Sequence, residues 1–167
     1  MKLWIALALF GICLISGCHG YGRLYPVQGP LASMMPVPSY TFSISYPGSP
    51  KYDRDQDGEI SVVLADGEAF SGPWKMAYNK PGSQVADAPT SNSNSMAEAW
   101  DAVYGQSFYV AHLLGENRVA HVALTGTMGT ALQIEWWAQS HAGDGTTIVG
   151  TKAVAEDNKG NIYKIVW

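Results

Sequence analysis

From residue 40 onward the large apolar side chains fall at every second position. Tyr40, Phe42, Ile44 and Tyr46 alternate with Thr41, Ser43 and Ser45, the period of a half-buried strand, and Pro47-Gly48-Ser49-Pro50 closes it. Ile60, Val62 and Leu64 repeat the alternation over 59–64. Asp66-Gly67 then reads as a two-residue hairpin turn into a strand over 68–74, whose Pro73 marks an edge or a bend. Residues 80–95 carry almost no large apolar side chain and are expected to form a mobile surface loop. The period changes at Ser95-Met96-Ala97-Glu98, a capping box. Ala97, Trp100, Ala102, Val103 and Tyr104 come next at helical spacing until Gly105, so one short helix is expected at about 95–104.

Beyond it the pattern is β again. Segments 106–114 and 118–125 flank Gly115-Glu116-Asn117, and Thr127-Met128-Gly129 turns into a strand over 130–138. There Leu132, Ile134 and Trp136 alternate with Gln133, Glu135 and Trp137. After a loop at 141–145, segments 146–155 and 161–167 form a last hairpin across Asp157-Asn158-Lys159-Gly160. Seven or eight short strands with one helix predict a mainly β fold, an antiparallel sandwich or a small barrel.

The front of the chain has a different grammar. Lys2 precedes an apolar run from Leu3 to Ile15, too short to span a bilayer, and Ser16-Gly17-Cys18 comes after it. Small residues leading into a cysteine look like the lipobox of bacterial lipoproteins. On that resemblance residues 1–17 are removed, and Cys18 becomes the first residue, acylated on its sulfur and its amine. Several acyl chains anchor a protein where one would not. His19 stands where lipoproteins kept in the inner membrane usually carry Asp, which favours the outer membrane. Residues 18–39, rich in Gly and Pro, are expected to be a lipidated tether, and 40–167 a single β-rich domain.

Composition narrows the function. Removal of 1–17 from the 167 residues leaves 150, enough for one domain with its own core, and takes Lys2 with it, so 9 basic residues face 14 acidic ones for a net charge of −5. That balance argues against a nucleic-acid partner. Cys13 leaves with the signal and Cys18 is used by lipid, so the folded part has no disulfide, thiolate ligand or cysteine nucleophile.

Several segments together resemble a family of small Gram-negative lipoproteins of unassigned activity. They are Gly22-Arg-Leu-Tyr-Pro-Val-Gln-Gly-Pro30, Ile60-Ser-Val-Val-Leu64 with Asp66-Gly-Glu68, Ala99-Trp-Asp-Ala-Val-Tyr-Gly105, Phe108-Tyr-Val-Ala-His-Leu-Leu-Gly115, and Ala153-Val-Ala-Glu-Asp-Asn-Lys-Gly-Asn-Ile-Tyr163. The resemblance covers most of the chain after the signal. It implies an anchor and one domain, and it carries over no catalytic residue.

Three constellations offer chemistry. Asp53, Asp55 and Asp57, followed by Gly58, resemble the opening of a calcium loop, although Leu64 stands where its last carboxylate belongs. No cofactor is otherwise expected, so Ca2+ is the single candidate, and a solvated acidic turn is the alternative. His112 and His121 would face each other if Glu116-Asn117 formed a two-residue turn. They would still need a third ligand, such as Glu135 or His141, to hold zinc. Among the aromatic residues, Trp137, Trp167 and Tyr163 are candidates for binding a glycan or an apolar ligand. Trp136 is expected inside and Trp137 on the wetter face. Nucleophile elbows, zinc-protease motifs, phosphate loops and dinucleotide fingerprints do not occur. The expectation is a non-enzymatic, lipid-anchored envelope protein that binds another envelope protein or a glycan. The alternative is a small-ligand or calcium-binding periplasmic lipoprotein.

Overall fold

The computed structural model describes residues 18–46, 57–78, 93–114, 116, 118–140 and 148–167. Eight strands run in chain order: β1 (Cys18–Gln28), β2 (Tyr40–Tyr46), β3 (Asp57–Val63), β4 (Ala69–Tyr78), β5 (Arg118–Thr125), β6 (Ala131–Ser140), β7 (Ile148–Asp157) and β8 (Ile162–Val166). Each pairs antiparallel with its neighbour and β8 pairs back onto β1, so the sheet closes into a barrel. The mainly β expectation holds, and of its two architectures the barrel is the one formed.

Closure depends on β1, the segment expected to be a tether. Its Tyr21, Arg23, Tyr25 and Val27 point outward and are exposed, whereas Gly22, Leu24 and Pro26 point inward and are buried. The inward set has one large apolar side chain, so the alternation is real but carries almost no hydrophobic signal. Gly22 is needed for contact: a Cβ there would sit 2.7 Å from the carbonyl oxygen of Val166 on β8. Pro26, which has no N–H to donate, lies where the β1–β8 register shifts, a position that tolerates it.

Among the described residues, two helices lie in the connection from β4 to β5. The first, α1 (Ser93–Tyr104), begins two residues earlier than its capping box suggests and takes in 93–95 of the loop expected at 80–95, whose other residues lie outside the described ones. Gly105, at φ 111°, terminates it, and its amide donates to Asp101 O at 2.9 Å. The second, α2 (Phe108–His112), replaces the strand expected over 106–114. The physical reason is local. Both oxygens of Asp101 accept backbone amides at the start of this turn, Ser107 at 2.8 Å and Tyr109 at 2.9 Å, and stacking among Trp100, Tyr104 and Phe108 holds the two helices together.

Burial falls in two layers. Inside the barrel, Phe42, Ile60, Phe70, Trp74, Trp136 and Tyr163 belong to one contiguous cluster; Trp74 and Trp136 meet edge to face at 5.1 Å. An eight-stranded barrel is just wide enough for side chains to fill, and here they do. Outside, α1 and α2 cover part of the wall through Met96, Trp100, Leu113, Trp137, Val154 and Ile162. Each such side chain removed from water contributes on the order of 2–3 kcal/mol before entropy is counted.

The barrel has two unlike ends. The connections 29–39, 64–68, 126–130 and 158–161 share one of them. There a 3-10 turn (Pro30–Ser33) folds over the opening and Leu31 packs on the core. Cys18 starts β1 and Trp167 follows β8 at the other end.

Candidate functional site

The closed end is tied by two buried carboxylates. Glu68, wholly buried, accepts the amides of Met128 at 3.1 Å and Thr130 at 2.9 Å, the Thr130 hydroxyl, and Lys159 Nζ at 3.3 Å. Burial opposes its ionisation. The hydrogen bonds outweigh that, led by those from Thr130, and hold the carboxyl below its ordinary value of 4.5. Asp157 accepts the amides of Lys159 and Asn161, both at 2.9 Å, Asn161 Nδ2 at 2.9 Å and the Tyr163 hydroxyl at 2.6 Å. Burial, then the adjoining Asp157, pushes the Tyr163 phenol far above its usual range. Asn161 Oδ1 in turn accepts the amide of Leu31 at 2.9 Å, joining the 3-10 turn to the β7–β8 hairpin. Both carboxylates are buried, so this constellation is a clasp between three hairpins, with Lys159 as its half-exposed member.

A third buried carboxylate lies on the outer wall. Glu135 points outward from β6 beneath the helices, accepting Trp100 Nε1 at 2.6 Å on one oxygen and pairing with His121 Nδ1 at 2.7 Å on the other. The hydrogen bond to Glu135 raises the His121 pKa above 6.5 against the opposing effect of burial. This corrects the expected histidine pair. Because 106–114 is not a strand, His112 ends α2 and stacks near Phe108 and Trp137, while His121 is taken by Glu135, the residue directly across the β5–β6 ladder. Among the described residues no group of three metal-ligating side chains converges. Asp53 and Asp55 lie outside the described residues, and Asp57 opens β3 opposite Lys75.

The aromatic candidates divide. Trp137 is 7% exposed, against the expectation of a wetter face, because Phe108 and His112 of α2 cover it and Lys152 Nζ lies 5.5 Å from its ring. Tyr163 is inside the barrel and serves the clasp. Trp167 is 44% exposed and packs edge to face on Phe42 at 5.1 Å, across the opening at the Cys18 end.

The accessible chemistry lies elsewhere, on the outward face of β1. Tyr21 is 67% exposed and Tyr25 40%, and between them Arg23 donates to Ser39 Oγ at 3.2 Å. Val27 continues the line. One flank is a bank of hydroxyls: Ser43 lies opposite Tyr21 and Thr41 opposite Arg23. Ser43 and Ser61 share a 2.7 Å hydrogen bond across β2 and β3. The other flank is Val166 and Lys164 of β8. Flat rings between hydroxyls and a guanidinium suit the face of a sugar ring or the rim of a protein. Sequence reading misses this face because the glycines and prolines of 18–39 point to a tether. The odd-numbered run Tyr21, Arg23, Tyr25, Val27 is the signal that could have found it.

No protein-family model, curated protein or solved structure matches this chain.

Proposed function

We propose that this chain is a lipid-anchored protein of the cell envelope, held at the outer membrane through Cys18, whose barrel docks through the outward face of β1 onto another envelope protein or a glycan. The observation that carries the docking reading is the exposed line Tyr21, Arg23, Tyr25 and Val27, bordered by hydroxyls, on a barrel whose interior is occupied by its own side chains. A carrier needs enclosed space, and Phe42, Phe70, Trp74, Trp136 and Tyr163 stand where a ligand would. The anchor reading rests on the apolar run ending in Ser16-Gly17-Cys18.

The test is photocrosslinking in intact cells, with a photoreactive side chain at position 21 or 25, and at position 123 on the outer face of β5 as the control. A discrete adduct from 21 and 25, absent at 123 and diminished by Cys18→Ala, is the expected result. If all three positions give the same diffuse products, docking through β1 is wrong.

A further inference from the structure

We infer that the barrel sits directly on the lipid bilayer, its Cys18 end at the headgroups and its clasped end pointing away. The inference rests on the reading of Cys18 as the lipidated residue. The decisive geometry is that no tether intervenes: Cys18 is already a ladder residue of β1, paired with Tyr46, and His19 and Gly20 pair with Ser45 and Ile44. A lipid on Cys18 is therefore separated from a rigid strand by only the few single bonds of its own side chain and the glyceryl link.

The direction of β1 sets the height of each residue above that link. The strand runs from Cys18 to Gln28, ten steps of about 3.4 Å, and at the tilt usual for a barrel this places Gln28 roughly 25 Å above Cys18 along the axis. The 3-10 turn beyond it, with Met35 95% exposed, and the β5–β6 hairpin, with Met128 61% exposed, lie at that far end. At the near end, β1 extends beyond β8: Arg23 pairs with Val166, so residues 18–22 lie past the last β8 pairing together with their β2 partners. Tyr21 is an exposed ring on that projection, and aromatic rings with a polar tip suit the headgroup layer. The net charge of −5 after signal removal supplies no attraction to anionic lipid, so the apposition comes from the covalent tie. The consequence for docking is directional. The β1 face rises from the bilayer like a post, and its partner meets Tyr21 near the headgroups and Val27 well above them.

The mature chain has no other thiol, so an introduced cysteine is unique. The full-length acylated protein, reconstituted in phosphatidylethanolamine–phosphatidylglycerol vesicles, is labelled with a polarity-sensitive fluorophore at Tyr21→Cys, Met35→Cys or Met128→Cys. His19→Cys serves as a second near-membrane site should Tyr21→Cys disturb the barrel. Labels at 19 and 21 should be quenched several-fold more by a lipid-soluble quencher than by an aqueous one, and labels at 35 and 128 should show the reverse. Equal aqueous quenching at all four sites, or lipid quenching at 35 and 128, overturns the orientation. The mass of the protein before reconstitution reports the anchor separately: a mature chain without acyl groups removes the anchor reading and the orientation with it, whereas an acylated chain with uniform aqueous labels removes the orientation alone.

Discussion

Trp100 and Glu135, 35 residues apart, are joined by a buried hydrogen bond of 2.6 Å from the indole Nε1–H to Oε2. Through it a helix that belongs to no strand pairing is fastened to the outer wall of the barrel. Trp100→Phe keeps most of the ring volume and removes the donor, leaving a buried carboxylate oxygen without its partner. The expected cost is about 1–3 kcal/mol in urea denaturation. Trp100→Ala adds a cavity and should cost about 3–5 kcal/mol. Equal stability of wild type and Trp100→Phe would mean the bond contributes nothing.

The other oxygen of the same carboxylate sets a pH response. Glu135 raises the His121 pKa in the folded chain above its ordinary 6.5. The protonated form is thus favoured by folding. Its stabilisation is complete below about pH 6.5 and is lost as pH rises through the folded pKa. A proton NMR titration of His121 should show a midpoint above 6.5, and His121→Gln should flatten the stability profile on that side of neutrality.

Glu68 works in the opposite sense. Its folded pKa is lowered from 4.5, so the stabilisation it gives is present above that value and is lost as pH falls through the folded pKa. Glu68→Gln should lower the melting temperature at pH 7 and narrow the gap from wild type as the solution is acidified below about pH 4.5. A constant gap across that range would show that the charge on Glu68 is immaterial.

Tyr163 and Asp157 separate the clasp into its parts. Tyr163→Phe removes one of the four donors to Asp157 and should cost about 1–2 kcal/mol by thermal denaturation. Asp157→Ala strands all four donors at the β7–β8 turn and should cost more than twice as much. If the two variants are equally stable, the turn amides are not held by Asp157.

Gly29 tests the junction of the 3-10 turn with that hairpin. It adopts φ 94°, and a Cβ there would collide with the carbonyl oxygen of Gly160 and lie 2.8 Å from Asn161 Cα. Gly29→Ala should therefore destabilise by about 1–3 kcal/mol from backbone strain alone, with the collision adding to it, whereas Gly150→Ala meets nothing within 4 Å and should be nearly neutral. Denaturant midpoints of the two variants check this.

The strands β2, β3 and β6 are legible in the chain because Phe42, Ile44, Ile60, Val62, Leu132 and Ile134 recur at every second position, and the pleat obliges such residues to share a face. The helix is legible from the spacing of Ala97, Trp100, Ala102, Val103 and Tyr104 and from Gly105, but its start is not, since Ser95 stands inside the helix and not at its cap. Two kinds of element are not. β1 hides because among its inward positions Gly22, required by the close approach of Val166, and Pro26 add no large apolar side chain, and Leu24 stands alone. α2 hides because its apolar residues fit a strand as well as a turn of helix, and only the Asp101 carboxylate, capping Ser107 and Tyr109, decides between them.

The sequence by itself determined the alternation, the turns, the helix stop at Gly105 and the absence of any cysteine after position 18, since each depends on residues close together in the chain or on their identity alone. The tertiary structure decided that the sheet closes, that Trp137 and Tyr163 are buried while Tyr21 and Tyr25 are exposed, that His121 pairs with Glu135 and not with His112, and that Cys18–Gln28 is a strand of the barrel. These depend on which elements become neighbours, from His121 and Glu135 across one hairpin to Arg23 and Val166 at the closure of the barrel. Burial and hydrogen bonding are settled by those neighbours, and no local pattern records them.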